Sequence, residues 1–247
     1  MNNNKVVIVT GASGGMGKEV IQKLLENNAF VTGIDINLDS LSDLNHDHLT
    51  KSKVNLTDET SIKNVFSETF ENYGKIDALV NIAGIAQSST SIEEVSLDEW
   101  NKIMNINATG VFLTCKEAVK YMKKNNNGAI LNIGSVSVAR PRPGLQSYIA
   151  SKGAIEAFSN ALAIEVAPYF IRVNVLHPGP SQTSMLSKFS SVKQQEIGLN
   201  MDDFKKSVPL GELIHPKDIS NSVNFLISDE ANMITGESIH VAGGRNL

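Results

Sequence analysis

The stretch Lys5-Val6-Val7-Ile8-Val9-Thr10-Gly11-Ala12-Ser13-Gly14-Gly15-Met16-Gly17-Lys18-Glu19-Val20-Ile21, continuing to Leu24 and Leu25, decides the fold. Val6 to Val9 is an apolar, mostly β-branched run of the kind that forms a buried strand. Glycines then force a tight turn, and Val20, Ile21, Leu24 and Leu25 return at helical spacing. A helix starting near Gly15 turns its free N–H groups and positive dipole end toward whatever lies over the turn. A pyrophosphate suits that position, because Gly11, Gly15 and Gly17 have no Cβ to hold it off. The spacing G-x3-G-x-G differs from the common G-x-G-x-x-G fingerprint, and an ordinary strand-to-helix turn is the plainer alternative.

Working outward, Phe30-Val31-Thr32-Gly33-Ile34 is a second strand ending on Asp35, 18 residues after Gly17. A carboxylate near that offset meets the ribose hydroxyls of NAD and repels a 2′-phosphate. With no Arg or Lys at Gly14, Ile36 or Asn37, NAD is favoured over NADP. The alternative is that Asp35 only caps a loop.

The chain has 247 residues, suited to one large α/β domain spanning 1–247, and 41% of them are hydrophobic, enough for a core. A formal net charge of −4 with no basic block points away from nucleic acid and anionic membranes. The single cysteine, Cys115, excludes an internal disulfide and reads as a small core residue. No Cys/His cluster has zinc spacing, so no metal is expected. The N-terminus leads straight into the first strand, leaving no room for a signal peptide, and no apolar run approaches the ~20 residues of a membrane span. A cytoplasmic protein is expected.

Further strands are expected weakly at Lys53-Val54, then at Ala78–Ile82, Ala129–Ile133, Ile171–Leu176 and Ser238–Val241. Helices fall between them: one capped by Thr57 or Asp58, one opened by the Ser96-Leu97-Asp98-Glu99 capping box, one from about Ala108 to Lys123, one over Ser147 to Ala167, and one begun by Pro216. Strands alternating with helices predict a single-domain, doubly wound α/β sheet of about seven mainly parallel strands, covered on both faces.

Tyr148 and Lys152 are four apart and so share a helix face. A phenol titrates near 10 and is a poor base at neutral pH, but a nearby ammonium favours the phenolate. Ser135 ends the fifth strand, at the carboxyl edge where open parallel sheets bind ligands. Its hydroxyl can donate to a substrate carbonyl while Tyr148 supplies a proton. Asn107 falls in a break between the two middle helices, where an amide can hold a relay water.

With these residues in hand, the chain resembles a short-chain dehydrogenase/reductase of the small single-domain kind over nearly its whole length. Thr10-Gly11-x-x-x-Gly15-x-Gly17 is similar to that family's cofactor loop. Asn107, Ser135, Tyr148 and Lys152 follow its catalytic tetrad in order and spacing, and Pro178-Gly179 with Thr183 follows its nicotinamide-holding segment. The resemblance implies Tyr148 as general acid/base, with Lys152 binding the nicotinamide ribose and lowering the phenol's pKa. It implies that Ser135 polarises the substrate oxygen and Asn107 supports the relay. NAD would then touch Gly11, Ser13, Gly14, Gly15, Met16 and Gly17 at the turn, and Asp35, Asn55, Asn81, Ala83 and Gly84 along the next strand ends. Tyr148, Lys152, Pro178, Gly179 and Thr183 complete the set. A homotetramer is implied too, pairing helices near 108–123 and 148–167, although core packing explains the apolar Phe158, Leu162, Ile164 and Val166 equally well.

The sequence departs from the family in three places. Asn-Asn-Ala-Gly becomes Asn81-Ile82-Ala83-Gly84, an acid near the adenine becomes Asn55, and the terminal Val-Asp-Gly-Gly becomes Val241-Ala242-Gly243-Gly244. The expected activity is interconversion of a secondary alcohol and a ketone. Sugar-nucleotide epimerases share Tyr-x-x-x-Lys but carry a different glycine spacing, and a dinucleotide-sensing protein without turnover is the alternative from another class. Residues 180–211 lack a clean pattern and are expected to form a substrate lid. Arg140 and Arg142 lie between Ser135 and Tyr148 and suggest an anionic substrate.

Overall fold

In the computed structural model, which describes residues 2–183, 185–186 and 201–247, Val6–Thr10 is strand β1 and Gly15–Glu26 is helix α1. Every residue of β1 is buried, as a strand covered on both faces requires. The other strands are β2 (Phe30–Asp35), β3 (Leu49–Lys53), β4 (Ala78–Asn81), β5 (Gly128–Ile133), β6 (Ile171–Pro178) and β7 (Ser238–Val241). They form a seven-stranded sheet in the order β3-β2-β1-β4-β5-β6-β7, and every pairing is parallel.

The period of two along the strands divides the core into two layers. Val7, Val9, Val31 and Leu131 face α1 and the helix Pro216–Leu226, meeting Val20, Ile21, Leu24 and Val223. Ile8, Ile34, Leu79 and Ile130 face the other way, onto α2 (Glu59–Tyr73), α4 (Gly110–Asn125) and α5 (Gln146–Val166). Asp58 caps α2 through the amides of Thr60 and Ser61, and Gly74 ends it in the left-handed region. Later in the chain, among the described residues, come α6 (Met201–Lys206) and α7, the Pro216–Leu226 helix.

Two expectations need revision. The third strand lies before Val54, at Leu49–Lys53. It is an edge strand with polar residues and only partial burial, so apolar patterning marks it poorly. No break separates the two middle helices: α3 (Leu97–Met104) runs into α4 through a π-helical turn at Asn105–Thr109. Of the lid expected at 180–211, residues 184 and 187–200 lie outside the described residues.

From β1 the chain moves outward to β2 and β3, then returns to place β4 on the other side of β1. Connections after β1 and β4 therefore leave in opposite directions. A crevice opens between them at the carboxyl edge, where such sheets hold ligands.

Candidate active site

At that edge lies a cavity of about 330 Å³, within the usual range for a small-molecule site. One end is the turn from β1 into α1. Gly11 has φ +69°, and a Cβ there would stand 2.7 Å from the Ala83 nitrogen. A Cβ on Gly17 would stand 2.1 Å from the Gly11 carbonyl oxygen, so the turn can close this tightly only around glycine. Gly14, Gly15 and Met16 line the cavity with the first turn of α1, whose N–H groups favour an anion. Thr183 covers that turn, its Cγ2 3.6 Å from where a Gly15 Cβ would be. A bare backbone cradle at a helix start fits the pyrophosphate of a dinucleotide.

Asp35 ends β2 at the cavity wall, its carboxylate accepting from the Ser13 amide at 3.0 Å and the Asn37 amide at 3.2 Å. It is thus both a loop cap and a cavity residue. Asn55 also lines the wall while accepting from the Thr57 amide at 3.0 Å. Ala83 and Gly84 line it after β4, and Pro178 and Gly179 after β6. Pro180, Ser181, Met185 and Leu186 continue the wall.

Tyr148 and Lys152 are on the first two turns of α5, both buried and both on the cavity. Gln87 holds the start of this helix, its side-chain oxygen accepting from the Tyr148 amide at 3.1 Å. Ser135, just beyond β5, is hydrogen-bonded through its hydroxyl to the phenol and accepts from the Ser137 amide at 3.2 Å. Burial pushes the phenol above its ordinary pKa, against the opposing pull of the Ser135 hydroxyl and the Arg142 charge. Lys152 Nζ donates to the Ile133 carbonyl at 2.7 Å and stands 6.0 Å from the Tyr148 ring centroid. Burial lowers its own pKa to about 8. In this arrangement the Arg142 charge acts on the phenol.

Asn107 is fully buried in the π-helical turn and does not line the cavity. Its side-chain oxygen accepts from the Ile85 amide at 2.8 Å, and its NH2 donates to the Ile85 carbonyl at 3.0 Å and the Ser151 hydroxyl at 3.1 Å. The side-chain amide clamps the loop after β4 to α5. A Cβ on Gly84 would meet Asn107 Oδ1 at 3.2 Å and Lys152 Nζ at 3.5 Å, so this glycine keeps space open between them.

Two residues expected to touch the cofactor are not among those lining the cavity. Asn81 is buried in the sheet, donating to Asn132 Oδ1 and accepting from the Thr114 hydroxyl, both at 2.9 Å. Ser13 donates its hydroxyl to the Asn37 carbonyl and steadies the turn. The departure at Ile82 leaves its backbone satisfied, because the Thr10 hydroxyl accepts from Ile82 and Ala83 at 3.1 and 3.2 Å.

Sequence reasoning missed Ile36, Leu56, Ile85, Ile106, Ser137 and Arg245, all on the cavity wall. The isoleucines and leucine carry no chemical signature, and Arg245 is brought in from the far end of the chain. His177 is buried beneath Ser135, with Nδ1 2.8 Å from the Ser135 carbonyl oxygen, and burial lowers its pKa. Among the described residues no group of three or more His, Cys, Asp or Glu could hold a metal, and no helix is long and apolar enough to cross a membrane.

Residues 11–246 match the family model described as Enoyl-(Acyl carrier protein) reductase. The chain is 32% identical to 2,3-dihydro-2,3-dihydroxybenzoate dehydrogenase of Bacillus subtilis, over 98% of this chain and 96% of that one. It is 35% identical to a 3-oxoacyl-[acyl-carrier-protein] reductase of Haemophilus influenzae, over 98% of each. Among solved structures, the 3-ketoacyl-(acyl-carrier-protein) reductase of Brucella melitensis complexed with NADH superposes with a TM-score of 0.92 at 31% identity, over 99% of both chains.

Proposed function

Because this chain belongs to the short-chain dehydrogenase/reductase family, we propose that it is a cytoplasmic, NAD(H)-dependent oxidoreductase interconverting a secondary alcohol and a ketone, with Tyr148 as general acid/base. The observation that carries this reading is the juxtaposition of Tyr148, Ser135 and Lys152 on one cavity with the glycine turn and Asp35. The dinucleotide, when bound, gives a hydride to the carbonyl carbon in reduction and takes it back in oxidation.

The residues divide the remaining work. Gly14, Gly15 and Met16 cradle the pyrophosphate, and the Asp35 carboxylate meets the adenine ribose hydroxyls, which favours NAD because a 2′-phosphate would face that charge. Lys152 binds the nicotinamide ribose from its anchor on Ile133, and Thr183 meets the carboxamide. The Ser135 hydroxyl donates to the substrate oxygen and holds it beside the phenol. In reduction the C=O π bond breaks, the carbon gains the hydride, and the Tyr148 phenol gives its proton to the oxygen. In oxidation the phenolate takes that proton back. Asn107 keeps the loop at Ile85 and the start of α5 in register, so that phenol and cradle stay opposed.

The test is absorbance at 340 nm with NADH or NADPH and a panel of ketones, and with NAD and the matching alcohols. Turnover is expected with a higher kcat/KM for NADH. Tyr148→Phe should lose activity at least about 100-fold while still binding NADH, as followed by quenching of nicotinamide fluorescence. Undiminished Tyr148→Phe turnover would sink the assignment of the acid/base.

Assembly as a homotetramer belongs to the same proposal. Phe112 on α4 and Ile164 on α5 are 45% and 80% exposed, apolar surface that a second copy would cover. Val166 is in the core and takes no part. Light scattering after size exclusion gives the mass directly, and a monomer would refute it.

A further inference from the structure

Three guanidinium groups border the cavity beside the acid/base pair: Arg140 and Arg142, between Ser135 and Tyr148, and Arg245, after β7. Chain segments distant in sequence have brought like charges together. Arg140 Nη1 donates to the Arg245 carbonyl at 3.3 Å, and Arg245 Nη1 donates to the Ser207 carbonyl at 3.1 Å. The partners of Arg140 and Arg245 are neutral backbone oxygens, so these contacts orient those two side chains without balancing their charge. Arg245 is only 8% exposed. Arg142 lies over the Phe204 ring, 5.0 Å from its centroid, a cation–π contact that helps to position the guanidinium.

Burial and repulsion from Arg140 and Arg142 both lower the Arg245 pKa, meaning that its surroundings disfavour the charge it carries. An anion received among them would relieve the repulsion and find planar forks matched to its oxygens. The Arg142 charge also acts on the Tyr148 phenol, so an anion held there is close to the reacting centre. Ile85, Met185 and Leu186 supply apolar wall beside it, suited to a short carbon body.

We propose that Arg140, Arg142 and Arg245 form an anion subsite that selects, as substrate, a small hydroxy acid and its oxo acid, with the carboxylate held a few bonds from the carbon that exchanges hydride. This deepens the oxidoreductase reading and rests on it. The cluster sets substrate choice, while Tyr148 and Ser135 handle the oxygen.

The experiment compares acetoacetate and 2-oxobutyrate with their methyl esters as substrates of the full chain, using NADH. Alongside it, a thermal shift with malonate is measured against chloride at equal ionic strength. Expected are a kcat/KM for an acid about 100-fold above its ester and a malonate shift exceeding that of chloride. The acid-to-ester ratio should fall at least tenfold in Arg142→Gln and Arg245→Gln, with the malonate shift lost. Arg140→Gln, at an exposed position, serves as the variant least able to disturb folding, and should lower both readouts in the same direction. Equal use of acid and ester, or a malonate shift no larger than that of chloride, overturns the subsite. Turnover of esters but not acids does the same while leaving the oxidoreductase reading intact. A malonate shift without NADH binding or turnover of any ketone keeps the subsite and removes the oxidoreductase reading. Reduction of a 3-oxoacyl group only on an acidic carrier protein, slowed by the arginine variants, also overturns the proposal, since the arginines then dock a protein.

Discussion

The Lys152 ammonium donates to the Ile133 carbonyl at 2.7 Å, fastening helix α5 to the last residue of β5. The bond places a cation in the interior, and burial lowers its pKa to about 8 from an ordinary 10.5. Below pH 8 the lysine is charged in both folded and unfolded states, so the burial penalty is fully present. Between about 8 and 10.5 the folded protein holds it neutral while the unfolded chain still binds the proton, and the penalty fades. The gap corresponds to about 3 kcal/mol. Wild type should therefore gain stability relative to Lys152→Met as pH rises from 7 to 10, measured by urea denaturation, while the variant loses activity throughout. A stability difference independent of pH would contradict this.

Arg142 lowers the Tyr148 pKa by its charge. Taking that charge away disfavours the phenolate, which alcohol oxidation needs as its base. The acidic limb of the pH profile for oxidation should move to higher pH in Arg142→Gln, and Arg142→Lys should restore part of the shift. An unmoved limb would mean that the guanidinium does not govern this titration.

Cofactor choice should follow Asp35. Pairing Asp35→Ser with Ile36→Arg removes a carboxylate from the cavity wall and supplies a partner for a 2′-phosphate, so the NADPH-to-NADH ratio of kcat/KM should rise at least about tenfold. The Ser13 amide also loses an acceptor, so a stability loss of about 1 kcal/mol is expected. A wild type that already prefers NADPH would refute the role given to Asp35.

Two glycine substitutions should behave oppositely. A Cβ at Gly17 falls 2.1 Å from the Gly11 carbonyl oxygen, whereas one at Gly153 in α5 meets nothing within 4 Å. Gly17→Ala should destabilise the protein by about 1–3 kcal/mol and abolish the thermal shift given by NADH. Gly153→Ala should stabilise it by about 0.5–1 kcal/mol through helix propensity. Loss of stability in Gly153→Ala would show that this position is packed against a second copy.

Much of this architecture was legible in the residues. β1, the glycine turn and α1 were readable because buried strands and amphipathic helices leave different periods, and Ser238–Val241 was read with its observed bounds. β3 was misplaced because an edge strand can be polar, and its position is set by pairing with β2. The π-helical turn at Asn107 was read as a break, since patterning senses interrupted periodicity but not an added residue within a turn.

The sequence by itself determined the parallel sheet and which residues end on its carboxyl edge, because apolar periodicity and turn chemistry act locally. Only the tertiary structure decided that Arg142 and Ser135 pull on the phenol, that Asn107 spends its amide on Ile85 and Ser151, and that Arg245 joins Arg140 and Arg142. Charge and burial depend on distance through space, and residues 105 positions apart along the chain become neighbours only once the sheet has closed the intervening helices around it.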